Sequence, residues 1–234
     1  MPNERAITTI LFDAGGVFVH LDYSFLARGL RAAGIPVTSR DLRRAEYAAK
    51  TEIDRRFREV LPSTDETRRQ PYFFVLLQQL GIEAGAAHRL LQQFETEHRR
   101  DNLWRLRLPS TPGVLTDLGA QGITLGVISN ADGRIAAILE KAGIAHFFDV
   151  IIDSYVVGVE KPDPEIFRIA LDRMGVKPEH AIFVGDIYAI DVLGAARAGL
   201  QPVLFDMLGA YKNVRCRKIQ HLRELLSCIE EKPC

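Results

Sequence analysis

Residues Ile7-Thr8-Thr9-Ile10-Leu11-Phe12 form an uncharged, mostly apolar run that stops abruptly at Asp13-Ala14-Gly15-Gly16. So short a run fits a strand buried on both faces, and the paired glycines end it in a turn. A strand of this kind needs neighbours that are themselves buried, which means a parallel sheet covered by helices.

The second half of the chain supplies those neighbours. After Leu108-Pro109-Ser110-Thr111-Pro112-Gly113, Ile123 to Ile128 reads as a strand and Gly133 to Ala142 as a helix stopped by Gly143. Phe148 to Ile152 is the next strand, and a helix follows from Pro164, with Asp163 as its N-cap and Gly175 closing it. Ala181 to Val184, a helix from Asp191 to Ala198 ending at Gly199, and Val203 to Phe205 complete the alternation. The expected fold is α/β, a Rossmann-like doubly wound parallel sheet, with the tail from Cys216 to Cys234 docking as a last helix.

From Tyr23 the texture is different, with long charged segments of helical period. Thr38-x-x-Asp41 and Ser63-x-x-Glu66 predict capping boxes, and a further helix is expected over Ala84 to Arg100. No strand pattern stands out before Leu108. The expected division is therefore a core of residues 1–19 and 109–234, with residues 20–108 inserted as a smaller, all-helical cap. Trp104 and Tyr72-Phe73-Phe74 read as packing within that cap, and His88 and His98 as surface or core positions.

With 234 residues, 47% of them hydrophobic, the chain can bury a core without disulfides or a structural metal. Cys216, Cys228 and Cys234 are odd in number and form no CxxC, which fits reduced thiols and a cytoplasmic location. No apolar run approaches the roughly 18–20 residues of a membrane span, and the N-terminus has no signal-peptide pattern. The net charge is zero, yet Tyr23 to Leu108 holds fifteen Arg and one Lys against eleven Asp and Glu, a surplus of five. Such a surplus suits a small anionic partner. No basic block interleaved with aromatics points to nucleic acid. A monomer or homodimer is expected.

Polar residues recur directly after predicted strands: Asp13, then Ser129-Asn130, then Gly185-Asp186. The carboxyl ends of parallel strands line the crevice where such sheets bind ligands, so three distant segments converge there, and Lys161 lies in a loop that can reach the same edge. A carboxylate can act as a nucleophile toward phosphorus, and the transferred group needs donors and cations around its oxygens. Gly15 and Gly16 allow close approach of backbone N–H groups, Ser129 brings a hydroxyl and Lys161 a positive charge. Asp13 and Asp186 are hard oxygen ligands suited to Mg²⁺.

Asp13-Ala14-Gly15-Gly16, Ile128-Ser129-Asn130, Lys161-Pro162-Asp163-Pro164 and Gly185-Asp186-x-x-x-x-Asp191 together resemble, in order, the four signature motifs of the haloacid dehalogenase-like superfamily. The spacing is similar to the subgroup with a helical cap between the first and second motifs. The resemblance implies a Mg²⁺-dependent phosphatase that forms an aspartyl-phosphate on a small phosphorylated substrate screened by the cap. It implies Asp13 as nucleophile and metal ligand, with the Gly15 carbonyl also on the metal. Ser129 and Lys161 would hold the phosphoryl group, with Gly16 and the Asn130 backbone beside it. Asp186 would complete the metal site, and Asp191 would be a further ligand or a partner of one.

Two positions depart from the pattern. Phosphatases of the superfamily carry a second aspartate, the general acid and base, where this chain has Gly15, and a threonine where it has Val17. The loss predicts slow turnover or a preference for good leaving groups; His20 is a candidate replacement acid. Three alternatives follow from the same gap. One is a non-catalytic protein that binds phosphometabolites or a partner. Another is a dehalogenase, which Arg43 and Arg44 early in the cap resemble. The third is a phosphonatase using Lys50 for a Schiff base.

Overall fold

The computed structural model describes residues 7–59 and 65–230. In chain order its first elements are β1 (Thr9–Phe12), β2 (Val19–Leu21), α1 (Tyr23–Ala32), α2 (Ser39–Glu59), α3 (Asp65–Gln79), α4 (Ala84–Arg100) and β3 (Trp104–Arg107). There follow α5 (Thr111–Ala120), β4 (Thr124–Ser129), α6 (Ile135–Lys141), β5 (Val150–Asp153), α7 (Ser154–Val157) and α8 (Pro164–Met174). The last are β6 (Ala181–Gly185), α9 (Leu193–Arg197), β7 (Gln201–Phe205), β8 (Arg217–Ile219) and α10 (Leu225–Glu230). The chain divides into two compact units, Met1–Val19 with Arg107–Cys234, and His20–Leu106.

The first unit is built on a six-stranded sheet in the order β5-β4-β1-β6-β7-β8, parallel throughout. All four residues of β1 are buried, as expected of a central strand without charge. The chain builds outward from β1 in one direction through β4 and β5, then in the other through β6, β7 and β8. Strand order therefore reverses at β1, which places a ligand crevice at its carboxyl end. Leu11, Ile128, Ile152, Phe167 and Phe183 form one buried cluster of this unit. Side chains of this size each contribute about 1.5–3 kcal/mol when taken from water.

Local signals fix the element ends. The Asp163 side chain accepts the amide of Glu165 at 2.9 Å and Pro164 opens α8, while Gly175 closes it. The helix expected from Asp191 begins later: residues Tyr188–Val192 make a widened π-type turn before α9. The tail also holds a strand the sequence pattern hides. β8 is Arg-Lys-Ile and pairs with β7 from Val203↔Arg217 to Phe205↔Ile219. It is the edge strand, where charged residues are common and apolar alternation is weak.

The second unit is formed mainly by α1 to α4. Leu26 and Leu30 of α1, Leu42 and Ala49 of α2, Phe73 and Leu76 of α3, and Leu90 and Phe94 of α4 share one core. The rings of Tyr72 and Phe73 lie 5.7 and 5.4 Å from that of Trp104. His98 is buried, and its Nδ1 accepts the Leu103 amide at 3.3 Å, whereas His88 is exposed. The Thr38–Asp41 capping box forms at the start of α2: Asp41 accepts the Thr38 amide at 2.9 Å, and the Asp41 amide donates to Thr38 Oγ1 at 3.2 Å. Ser63, of the second expected box, lies outside the described residues. Two short strands, β2 and β3, pair as a separate sheet that the sequence pattern did not reveal. With three and four residues they are too short for a readable period.

Inside this unit lies a buried polar cluster. The Glu46 carboxylate, fully buried, accepts the Tyr23 hydroxyl at one oxygen and the Tyr72 hydroxyl at the other, the latter at 2.7 Å. Lys50, one turn further along α2, places its Nζ 3.2 Å from Glu46 Oε1 and over the Tyr47 ring. Burial pushes the Glu46 carboxyl up, but the Lys50 ammonium and the two hydroxyls outweigh it and hold the group below its ordinary range.

Candidate active site

The parallel register aligns the strand ends. Phe12 is level with Val127 of β4 and with Val184 of β6, so Asp13 stands one step beyond, with Ser129 and Asp186 one step further again. The Asp13 amide donates to the Val184 carbonyl at 2.8 Å, which fixes the nucleophile candidate to the end of β6. All three side chains are buried.

Lys161 reaches the same edge. Its Nζ lies 2.7 Å from Asp13 Oδ1 and 2.8 Å from Asp191 Oδ1, and only 1% of the residue is exposed. Asp191 in turn accepts the amides of Asp186 and Ile187 on its other oxygen, at 3.0 and 2.9 Å. One oxygen each of Asp13, Asp186 and Asp191 lie within 4.8 Å of one another.

Three carboxylates and one ammonium meet at this buried strand edge. Burial pushes the Asp13 carboxyl up to about 7; Lys161 opposes that rise, and Asp191 and Asp186 add to it. Burial also works against the Lys161 charge, but Asp13 and Asp191 together outweigh it and raise its pKa. Three carboxylate oxygens this close together are hard ligands that suit a divalent cation such as Mg²⁺.

The glycine turn differs from expectation in one respect. The Gly16 amide is already engaged with the Val19 carbonyl at 2.8 Å, and its φ is +77°. Gly16 is thus a turn residue whose N–H is bonded within the loop. The amides of Phe18 and Val19 both return to the Ala14 carbonyl, so residues 14–19 close on themselves immediately after Asp13.

Asn130 also behaves differently from expectation. Its side chain, not only its backbone, is engaged: Oδ1 accepts the Lys161 amide at 2.8 Å and Nδ2 donates to the Lys161 carbonyl at 2.9 Å. Asp153 and Ser154, at the end of β5, were not anticipated at all. Asp153 is buried and accepts the amides of Ile135 and Tyr155, while Ser154 Oγ accepts the Ala131 amide at 3.1 Å. They brace the loop after Ser129, and the rule that found the other residues, a polar group directly after a strand, applies to them too. Lys50 belongs to the helical unit and its ammonium is paired with Glu46. Arg43 lies over the Tyr23 ring at 5.4 Å in the same unit.

Comparison with known proteins gives a consistent picture. A family model described as haloacid dehalogenase-like hydrolase matches residues 7–199. The chain is 46% identical over 99 residues to a glyceraldehyde 3-phosphate phosphatase of Methanothermobacter thermautotrophicus, covering 41% of this chain and 43% of that protein. It is 35% identical over 139 residues to a phosphoserine phosphatase of Thermus thermophilus, covering 59% of this chain and 54% of that one. The chain thus spans about half the length of these curated relatives. A human haloacid dehalogenase-like hydrolase domain-containing protein 3 is 30% identical over 179 residues, 70% of either chain. Among solved structures, a Bacillus subtilis HAD-hydrolase bound to magnesium matches with a TM-score of 0.68 at 23% identity, covering 97% of this chain and all of that one, a likeness of fold. No described helix is long and apolar enough to cross a membrane.

Proposed function

The chain belongs to the haloacid dehalogenase-like hydrolases, and from that premise we propose that it is a Mg²⁺-dependent phosphatase acting on a small phosphorylated metabolite through an aspartyl-phosphate at Asp13. The observation that carries this reading is the meeting of Asp13, Asp186, Asp191 and Lys161 at one buried strand edge. The phosphatase names of the curated relatives support the same reaction class. The odd cysteine count and the absence of a CxxC pair support our assignment of the protein to the cytoplasm.

Residues 20–108 are taken as the cap, which includes the compact unit His20–Leu106, and residues 1–19 and 109–234 as the catalytic core. An oxygen of Asp13 attacks phosphorus as the bond to the leaving oxygen breaks, and water then cleaves the acyl phosphate to return the carboxylate and release phosphate. Lys161 and the Ser129 hydroxyl hold the charge on the phosphoryl oxygens. Asp13, Asp186 and the Gly15 carbonyl would hold the ion, which when bound offsets the charge of the phosphoryl group against the carboxylates. Asp191 has both oxygens engaged by Lys161 and two amides, and we assign it to bracing Lys161 and the Asp186 loop.

Gly15 leaves the leaving group without a carboxylic acid to protonate it. General acid–base catalysis contributes about 10²–10⁴-fold, roughly 3–5 kcal/mol of barrier. Phosphate-monoester hydrolysis is accelerated by up to about 10²¹-fold in efficient enzymes, so this loss alone does not abolish catalysis. It weighs most on alkyl phosphates, whose alkoxide needs a proton, and least on acyl and aryl phosphates.

The competing chemistries fit less well. A metal-free displacement at carbon has no use for two further carboxylates beside the nucleophile. A Schiff base needs an amine at the reacting carbonyl, whereas the Lys50 Nζ is buried in the helical unit, 3.2 Å from Glu46 Oε1. The test is a panel of p-nitrophenyl phosphate, acetyl phosphate, a sugar phosphate, a phosphonate and a haloacid, each with Mg²⁺ or excess chelator. Hydrolysis of the phosphates only with Mg²⁺, lost in Asp13→Asn, is expected. Haloacid turnover in chelator would establish a dehalogenase, and no turnover in any arm would favour a binding protein.

A further inference from the structure

Lys161 carries the site's cation, yet it belongs to no helix or strand and lies in the loop between α7 and α8. A loop residue takes its position from few contacts, so what fixes this one matters to the site. Both of its main-chain polar groups are bound by one side chain. Asn130 Oδ1 takes the N–H at 2.8 Å and Nδ2 gives to the C=O at 2.9 Å.

We propose that Asn130 is a positioning residue for Lys161: its carboxamide clamps the Lys161 peptide to the end of β4 and so fixes where the ammonium stands between Asp13 and Asp191. The residue type suits the task. A carboxamide offers a donor and an acceptor side by side, as a neighbouring strand would, whereas a carboxylate offers acceptors only and a serine is too short to span both groups. The base of the clamp is itself anchored. Asn130 directly follows Ser129, which pairs with Asp153 across the sheet, and the next amide, of Ala131, is held by Ser154 Oγ. Lys161 is thus gripped at both ends, its peptide by Asn130 and its ammonium by two carboxylates. Asn130 ties the loop to the β4 end through a side chain on both polar groups of one peptide. In this reading Asn130 acts on a phosphoryl group through Lys161.

The inference rests on the phosphatase reading only for its kinetic consequence, so the first test does not involve catalysis. Lysines of the whole protein are acylated under native conditions, and the modification rate at each is read by peptide mass spectrometry in wild type, Asn130→Ala and Asn130→Asp. Lys161 is expected to label about tenfold faster or more in both variants, because its local opening becomes easier, while buried Lys50 in the helical unit keeps its wild-type rate. An unchanged rate at Lys161 overturns the proposal. A parallel rise at Lys50 overturns it as well, since Asn130 would then serve general stability.

Kinetics supply the second test. Misplacement of a catalytic group by about an ångström costs on the order of 10²-fold, so Asn130→Ala should lower kcat by up to that factor. In a Lys161→Ala background the same change should cost less than about threefold, because the two residues act as one unit. Equal cost in both backgrounds would mean that Asn130 contacts the substrate itself and would overturn the proposal. If wild type turns over no phosphate ester, the phosphatase reading fails, and the labelling result stands independently.

Discussion

Asp191 packs into the space that Gly185 leaves open: a Cβ built on Gly185 would stand 2.3 Å from both Cβ and Cγ of Asp191. The last residue of β6 must therefore lack a side chain for Asp191 to hold Lys161 and the amides of Asp186 and Ile187. Gly185→Ala should cost about 1–3 kcal/mol of stability through overpacking and should lower turnover more than it lowers the folded fraction. Urea unfolding and kcat measured on the same preparation check this. A fully active, wild-type-stable variant would show that Asp191 has room to move.

The Glu46 cluster makes a prediction about acid. Its folded-state pKa lies below the ordinary 4.5, so its contribution to stability is present above that value and is lost as pH falls through the folded pKa. Glu46→Gln should flatten the acid limb of the stability curve while lowering stability at neutral pH. Removing one member of a buried pair costs about 3–5 kcal/mol, whereas replacing both by apolar residues of similar volume is often near neutral. Glu46→Leu with Lys50→Met should therefore be less damaging than Glu46→Leu alone, as read by urea denaturation at neutral pH. An equal or greater loss in the double variant would contradict the paired reading.

Leaving-group dependence tests the role of the Gly15 position. The kcat/KM for p-nitrophenyl or acetyl phosphate should exceed that for sugar phosphates. Gly15→Asp should raise alkyl-phosphate turnover by about 10²-fold or more, with little gain on acetyl phosphate. Equal gains on both substrates would mean that the new carboxylate acts on the site's charge and not as a proton carrier.

Much of the fold was legible in the chain. Short, uncharged and mostly apolar runs gave β1, β4 and β6, and Asp163-Pro164 with Gly175 gave both ends of α8, because each signal is local. β2, β3 and β8 were not legible, since strands of three or four residues with Arg, Lys or His carry no period. At the site, the strand-end rule located Asp13, Ser129 and Asp186, but not what their neighbours do. The Asn130 clamp joins residues 31 positions apart and depends on loop geometry. The Gly16 amide turned inward for a similar reason: its partner, Val19, is a backbone carbonyl, which no residue type announces.

Metal dependence should divide the carboxylates. Asp186→Asn should weaken Mg²⁺ binding by more than about tenfold in calorimetric titration, since ion affinity follows ligand charge. Asp191→Asn should leave Mg²⁺ affinity within a few-fold while lowering kcat, because it releases Lys161. A comparable loss of affinity in both variants would make Asp191 a ligand.

Rapid acid quench of the enzyme with acetyl phosphate and Mg²⁺, followed by peptide mass spectrometry, asks directly whether Asp13 carries the phosphoryl group. A phosphorylated peptide containing Asp13 is expected within the first turnover, absent in Asp13→Asn and absent when chelator is in excess. Steady hydrolysis with no phosphoryl group ever found on Asp13, or with the label on another residue, would contradict the account.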